Sequence, residues 1–320
     1  MKVAVLSGGR SSEHDVSVKS GESVATGLRD AGHEVKEVAL KRDGTWVHDG
    51  AELDLRAGRG LLGCDVAFPV LHGPFGEDGT VQGLLELLDI AYAGSGVLAS
   101  AACLDKVVFK ELMAQSGLAQ VGYALVKEGD APPDVGYPCW VKPARLGSSV
   151  GIVRVATADE MPAALEAAFG HDPRVIVEAH SGGLEVEASV LGHTDSPEVS
   201  EPGEIELLKG AGWYDFEAKY AADGMRLQIP ARISERAAER VEALAKEAFT
   251  AAGCSGMARV DFFVEGDDVL LNEINTLPGF TSTSVYGALW DASGVKYPDL
   301  VDRICQIAVE RHQAEQGFRY

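Results

Sequence analysis

The sequence has no C-x-x-C pair, and its five cysteines (Cys64, Cys103, Cys139, Cys254 and Cys305) are odd in number and widely spaced. That pattern argues against a disulfide framework and a thiolate zinc site, and a reducing compartment is expected. No uncharged apolar run approaches the ~20 residues of a membrane span. Met1-Lys2 is followed by only four apolar residues, Val3–Leu6, too few for the core of a signal peptide. Basic residues are scarce: 28 Lys and Arg stand against 49 Asp and Glu, for a net charge of −21. This balance disfavours any partner held mainly by phosphate-backbone attraction, so neither nucleic acid nor an anionic membrane is expected. A nucleotide needs only a few local cations and is not disfavoured. The Walker A pattern G-x-x-x-x-G-K-[ST] is missing, so any phosphate site must be built differently. What is present is a chain of 320 residues, 46% hydrophobic and 24% charged. Such a chain packs into two or three lobes at ~100–150 residues each. A cytoplasmic protein is expected.

Val3–Leu6, closed by Ser7-Gly8-Gly9, reads as a buried strand entering a tight loop. A helix is predicted over 20–31 with a stop at Gly32, then a strand over 34–40. Val66–Leu71 is another apolar run, ended by His72-Gly73, and helical spacing follows over 80–88. Strands alternating with helices predict a parallel α/β lobe over 1–98, with functional loops at the carboxyl ends of its strands. Residues 104–117 read as a helix. Strands at 121–126, 139–142, 150–155 and 174–178, with a helix at 157–169, predict a smaller α+β lobe over 99–183. A third lobe, 184–320, opens on the alternating segment Leu184–Leu191. It continues with a helix at 234–252, strands at 257–264 and 269–274, and a last helix at 298–315. Residues 203–230 are polar, aromatic and weakly periodic, and are predicted to form one long loop of functional character.

Two segments carry chemistry. Arg259-Val-Asp261 and Glu273-Ile-Asn275 each place polar residues at i and i+2, on one face of a strand. Val260, Phe262 and Ile274 then belong to the buried face, and Glu265–Asp268 supplies a turn. Two carboxylates, an amide and an arginine together suit Mg²⁺ and a phosphate. Taken alone, the same residues read equally well as a solvated face with charge pairs. For Asp261 to face Glu273, the connection must hold an odd number of residues or the ladder must contain a bulge. The second segment, Trp140-Val-Lys142-Pro-Ala-Arg-Leu-Gly147-Ser148-Ser149-Val150-Gly151, delivers a lysine and then a Gly/Ser loop whose N–H groups could close over phosphates. Alone it would read as an ordinary hairpin; the two segments together favour ATP.

Five motifs, in order, make the chain resemble the D-alanine–D-alanine ligases of the ATP-grasp superfamily over essentially its whole length. They are Gly8-Gly-Arg-Ser-Ser-Glu13-His-Asp-Val-Ser17, Leu71-His72-Gly-Pro-Phe-Gly-Glu77-Asp-Gly79 and Lys142–Gly151, followed by Tyr214-Asp-Phe-Glu-Ala-Lys219-Tyr220 and Asn272-Glu273-Ile-Asn275-Thr-Leu-Pro-Gly279-Phe-Thr-Ser-Thr-Ser284. The resemblance implies a three-lobed ATP-grasp fold of α/β and α+β parts with a Rossmann-like N-terminal parallel sheet. It implies that Lys106, Lys142 and Ser149 contact ATP phosphates, that Glu178 and the backbone at Ala179 and His180 read adenine, and that Glu185 holds the ribose. By the same resemblance Asp261, Glu273 and Asn275 would bind two Mg²⁺ ions, with Mn²⁺ as a possible substitute. Arg259 and the Gly279 N–H would stabilise an oxyanion. Glu13 would bind the first substrate's ammonium and form a lid triad with Ser148 and Tyr220. His72 and Glu77 would support that subsite, and Lys219, Ser284 and the Val285 backbone would bind the second substrate's carboxylate. Each of these residues, taken singly, also has an ordinary structural reading. The implied activity is ATP-dependent joining of two D-alanines through a D-alanyl phosphate, for peptidoglycan precursors, by a homodimer.

Phe216 departs from the tyrosine usual in the family's long loop, which bears on closure contacts rather than on reaction type. A related ligase making D-alanyl-D-serine, D-alanyl-D-lactate or a specialised dipeptide is the main alternative. A degenerate ATP-binding module would not need Lys142, Arg259, Asp261, Glu273 and Asn275 all intact. A nicotinamide-dependent oxidoreductase fails because no G-x-G-x-x-G turn follows the first strand.

Overall fold

In the computed structural model, which describes residues 1–147, 150–208, 224–281 and 284–318, the first apolar run becomes β1 (Lys2–Gly8). It lies inside a six-stranded sheet, parallel to β2 (Glu34–Leu40) and β5 (Val66–Pro69). Val3 and Val5 enter one core, and Ala4 and Leu6 enter another on the opposite face. A strand buried on both faces needs an unbroken apolar run rather than alternation. Helix α1 (His14–Asp30) begins six residues earlier than predicted, directly after Glu13. Its first turns escaped the periodicity because Ser17 and Ser20, not aliphatic residues, are the buried positions there. Ser17 Oγ donates to Val70 O at 2.5 Å and accepts from Gly8 N at 2.8 Å, tying the helix to two strand ends. A Cβ at Gly8 would lie 2.4 Å from Leu40 O, so only glycine fits that loop.

Beyond β2 the sheet carries an antiparallel edge not read from the sequence, β3 (Trp46–His48) and β4 (Ala51–Glu52), turned at Asp49-Gly50. A G-x-G-x-x-G run does occur at Gly58–Gly63, but in the connection before β5 rather than between a strand and a helix. Helix α2 (Thr80–Leu88) and β6 (Ala91–Tyr92) complete this part. The helix predicted over 104–117 is α4 (Lys106–Gln115), and an unpredicted helix, α3 (Val97–Leu104), precedes it, the two separated at Asp105. The Asp105 carboxylate accepts from Val107 N and Val108 N, an N-cap that starts α4 afresh.

The second sheet, in order β7-β10-β8-β9, is antiparallel: β7 (Tyr123–Lys127), β8 (Cys139–Pro143), β9 (Val153–Val155) and β10 (Arg174–Ala179). Together with α5 (Met161–Phe169) it encloses its own core of Val126, Val141, Val155, Leu165 and Val177.

The third sheet comprises β11 (Leu184–His193), β12 (Ser196–Val199), β13 (Gly203–Leu207), β14 (Met225–Gln228), β15 (Gly256–Glu265) and β16 (Asp268–Asn275), in the spatial order β14-β13-β11-β15-β16 with β12 also paired to β11. The expected single loop over 203–230 is therefore corrected: its two ends pair as β13 and β14, from Glu204 opposite Gln228 to Leu207 opposite Met225. Ile205 and Leu227 alternate with charged and polar residues and pack on Leu289, a period-2 signal that the glutamates disguised. Helix α6 (Glu235–Ala251) covers the back of this sheet together with Phe109 and Met113 of α4. Helix α7 (Val285–Ala292), unpredicted, follows Ser284. The last helix, α8 (Tyr297–Gln316), joins the first and third sheets through Leu300, Ile304, Val5 and Met257. Arg311 of α8 donates to Gly94 O at 2.6 Å. Among the described residues, no helix is long and apolar enough to cross a membrane.

Candidate active site

The β15–β16 hairpin puts Asp261 opposite Glu273 and Arg259 opposite Asn275. Its turn holds only Gly266 and Asp267 between the paired Glu265 and Asp268, an even connection. The required shift is supplied by a bulge between Asp261 and Phe262, which leaves Asn272 as the extra residue. Val260, Phe262 and Ile274 lie in the core behind, as the alternation demands. Arg259 donates through Nε to Asp261 Oδ1 at 2.8 Å and through a terminal nitrogen to Oδ2 at 2.7 Å. The donor chemistry of Asp261, Glu273 and Asn275, two carboxylates and an amide oxygen on one strand face, fits a hard divalent cation.

Across the cleft, the second sheet contributes a buried cluster. Lys142 Nζ lies 2.5 Å from Glu178, on the neighbouring strand β10, and Lys110 Nζ lies 3.2 Å from the other oxygen. Burial alone would raise the Glu178 carboxyl, but the two ammonium groups beside it hold it down at about 2. Burial pushes Lys110 below the ordinary lysine range despite Glu178, whereas for Lys142 the attraction of Glu178 outweighs burial. Lys106, at the start of α4, reaches Leu146 O at 2.5 Å and so anchors the entry to the Gly/Ser loop. Lys106, Lys142 and Glu178 line a cleft of ≈ 730 Å³ with Glu185, His180, Asp261 and Glu273, a volume in the range of small-molecule sites. The N–H groups of Ala179 and His180 are already donated to Gly122 O and Pro138 O. The His180 ring accepts from Trp140 Nε1 at 3.2 Å.

The third contribution comes from the loops at the carboxyl ends of β1 and β5. Glu13, 5% exposed, stands at the N-terminus of α1, close to His72 and Glu77. Burial lowers His72 below the ordinary imidazole range even though Glu13 acts the other way. Burial and then the charge of Glu13 push Glu77 up to about 8, although its carboxylate accepts from Gly73 N at 2.8 Å. A Cβ at Gly147 would lie 3.7 Å from Glu77 Oε2, so this loop also reaches the Gly/Ser segment.

The raised Glu77 has a consequence for stability. Below pH 4.5 both folded and unfolded chains carry it protonated, and its neutral form counts fully toward stability. As pH rises toward 8 the unfolded chain ionises first, and that stability is lost. Glu77→Gln, neutral throughout, is therefore expected to gain on the wild type between pH 4.5 and 8. Melting temperatures of both proteins across that window check it, and a gap that does not widen with pH would refute it.

Gly279 lies where a Cβ would meet Ser284 Oγ at 3.0 Å, and Thr281 N donates to the same hydroxyl at 2.8 Å. The loop is pinned by Phe280, whose ring meets Phe68 of β5 edge-on at 5.6 Å. The Val285 side chain is buried against Ile205 and Leu289, so only its backbone could face a ligand. Ser148, Ser149, Lys219 and Tyr220, with Phe216, fall outside the described residues. The remaining expected residues are distributed over the three contributions above. Sequence reading missed Lys110, Asn272 and Glu187. Lys110 stands four residues after Lys106 on one helix, a spacing that could have flagged it.

Residues 2–61 and 53–95 match the family model described as D-ala D-ala ligase N-terminus, and residues 112–306 match D-ala D-ala ligase C-terminus. The chain is 42% identical, over 97% of its length and 98% of the relative's, to a D-alanine–D-alanine ligase of Mycolicibacterium gilvum (strain PYR-GCK). It is 41% identical, over 97% and 96%, to one of Frankia casuarinae (strain DSM 45818 / CECT 9043 / HFP020203 / CcI3). Among solved structures it is similar to the D-alanine-D-alanine ligase from Coxiella burnetii, with a TM-score of 0.89 and 32% identity over 99% of this chain and 96% of that one. It is also similar to the VanG D-Ala:D-Ser ligase from Enterococcus faecalis, with a TM-score of 0.86 and 33% identity over 96% and 99%.

Proposed function

The chain belongs to the D-alanine–D-alanine ligase family and has its ATP-grasp fold, and from that premise we propose how its residues join two D-alanine molecules. The activity is ADP-forming ligation to D-alanyl-D-alanine, a peptidoglycan precursor. The observation that carries the assignment of roles is the cleft itself. The bulged β15–β16 face lines it from one side with Asp261 and Glu273, and the Lys142–Glu178 pair lines it from the other.

ATP enters with its adenine toward Ala179 and His180, beside Glu178, and its ribose on Glu185. Lys106, Lys142 and the Ser149 segment take the phosphates. Asp261, Glu273 and Asn275 would hold two Mg²⁺ ions (or Mn²⁺), which when bound neutralise charge on the transferring phosphoryl group. A free carboxylate is a poor electrophile with a poor leaving group, so the first D-alanine must be activated. Glu13, supported by His72 and Glu77, holds its ammonium and directs its carboxylate oxygen at the γ-phosphorus, giving D-alanyl phosphate and ADP. The second D-alanine is held by its carboxylate on Lys219, Ser284 and the Val285 N–H. Its amine attacks the acyl carbon, Arg259 and the Gly279 N–H donate to the developing oxyanion, and phosphate departs. Glu13, Ser148 and Tyr220 close the lid, because water would hydrolyse the acyl phosphate.

We assign the lobes as 1–98, 99–183 and 184–320, and the working form as a cytoplasmic homodimer with no nucleic-acid or membrane partner. The test is ADP release with Mg²⁺ and ATP in the presence of D-alanine, L-alanine or neither, with product masses from the same tubes. D-alanine-dependent release with a D-alanyl-D-alanine mass is expected. The 33% identity to a D-Ala:D-Ser ligase keeps a second reading in view, D-alanyl-D-serine synthesis. Turnover only on adding D-serine or D-lactate would move the error to the second subsite, and no turnover at all would refute the assignment.

A further inference from the structure

Glu187 has no part in the chemistry above, yet it touches the residue on which that chemistry turns. On β11, Glu185, Glu187 and Ser189 share one face, with Val186, Ala188 and Val190 in the core behind. The ladder sets Glu187 directly opposite Asp261 and Ser189 opposite Arg259. Glu187 Oε2 lies 2.9 Å from Arg259 Nε, the same nitrogen whose single N–H is donated to Asp261 Oδ1 at 2.8 Å. The three side chains are 4%, 13% and 12% exposed for Glu187, Arg259 and Asp261. A buried carboxylate is costly to keep. Asp261 alone would already neutralise the guanidinium, so a second carboxylate on the same nitrogen asks for a separate reason.

We propose that Glu187 is the positioning residue of Arg259, taking over its Nε–H when Asp261 turns its oxygens to a divalent cation. Without Glu187, Asp261 would have to serve the guanidinium and the cation at once. With it, Arg259 stays fixed through Nε while its terminal nitrogens are released toward the reacting oxygen. A donor placed in advance stabilises a developing charge with no reorganisation during the reaction. The inference rests on the ligase reading above.

The test uses Glu187→Gln, which keeps the shape and an acceptor but removes the charge, and Glu187→Asp, which restores the charge on a shorter arm. Glu187→Gln is expected to lower kcat by about 10–100-fold, with KM for ATP and for D-alanine changed less than twofold. Calorimetric titration of Mg²⁺ into the protein with ADP present should show weaker Mg²⁺ affinity, by about 5–10-fold, because Asp261 then remains committed to Arg259. Glu187→Asp should recover part of both losses. The ADP stoichiometry from the same titrations gives the folded, binding-competent fraction. If kcat per competent site were unchanged, or Mg²⁺ affinity were unchanged, the proposal would be overturned. So would a loss explained wholly by a smaller competent fraction. A wild type that neither bound ADP nor turned over D-alanine would overturn the ligase reading and this inference together, whereas a normal wild type beside an unchanged variant overturns the inference alone.

Discussion

Glu273→Ala is expected to reduce turnover by about 10³-fold or more while leaving the protein folded. Glu273 faces Asp261 across the β15–β16 ladder, so its loss removes one of the two carboxylates on that face. Asp261 would be left with Asn275 and with the guanidinium of Arg259, which already holds both of its oxygens. The hairpin itself is secured from behind by Val260, Phe262, Leu271 and Ile274, all in the core shared with α4 and α6. Truncating a side chain on the other face removes no core volume. The charge of Glu273 also acts across the cleft: it helps raise Glu77 and favours the charged form of Lys142. ADP release at saturating Mg²⁺, read beside the melting temperature, separates the two effects. A variant that melts normally and retains turnover would remove Glu273 from the metal set.

How much of this arrangement the sequence discloses depends on whether a residue's role is local. Arg259, Asp261, Glu273 and Asn275 are legible because a strand has period 2 and the alternating residues are plainly apolar. Parity alone called for an odd connection or a bulge, and the bulge is there because the turn between Glu265 and Asp268 is even. Lys110 is not legible in this way. Its meaning comes from α4 packing against β10, which brings Lys110 to Glu178 from 68 residues away in the chain. Glu187 belongs to a visible alternation, but only the β11–β15 register says that it faces Asp261 rather than solvent. The β13–β14 pair was hidden because Glu204 and Glu206 made their segment look like loop. Those charges are there to meet Arg232, which Glu204 holds at 2.6 Å. The docking of α8 on the first sheet is a contact between chain ends, and no local pattern encodes it.

Lys142→Met is the substitution with the largest expected effect on stability. Lys142 and Glu178 are 13% and 3% exposed, so the pair has left most of its water behind. Methionine fills a similar volume without charge, and Glu178 is left to Lys110 alone, an ammonium that burial already drives toward its neutral form. Breaking a buried pair costs ~3–5 kcal/mol when nothing replaces the lost partner; with Lys110 still present, about 2–3 kcal/mol is expected at neutral pH. The pH dependence carries the sign. Glu178 titrates at about 2 in the folded protein against an ordinary 4.5, so its contribution is fully present above pH 4.5 and drains away as pH falls toward 2. In the variant its pKa returns toward the ordinary range and there is less to lose. The stability gap between wild type and variant should therefore be widest above pH 4.5 and narrow on acidification, as denaturant melts at pH 7 and pH 3 would report. A gap of constant size would mean that packing, not charge, accounts for it. The same change leaves Glu178, Glu185 and Glu273 lining the cleft with one cation fewer. Loss of a charge-assisted contact worth ~1.5–3 kcal/mol should raise KM for ATP by about 10–100-fold. Because that rise comes from a contact with phosphate, KM for D-alanine should move far less, and equal rises in both would take Lys142 out of the phosphate site.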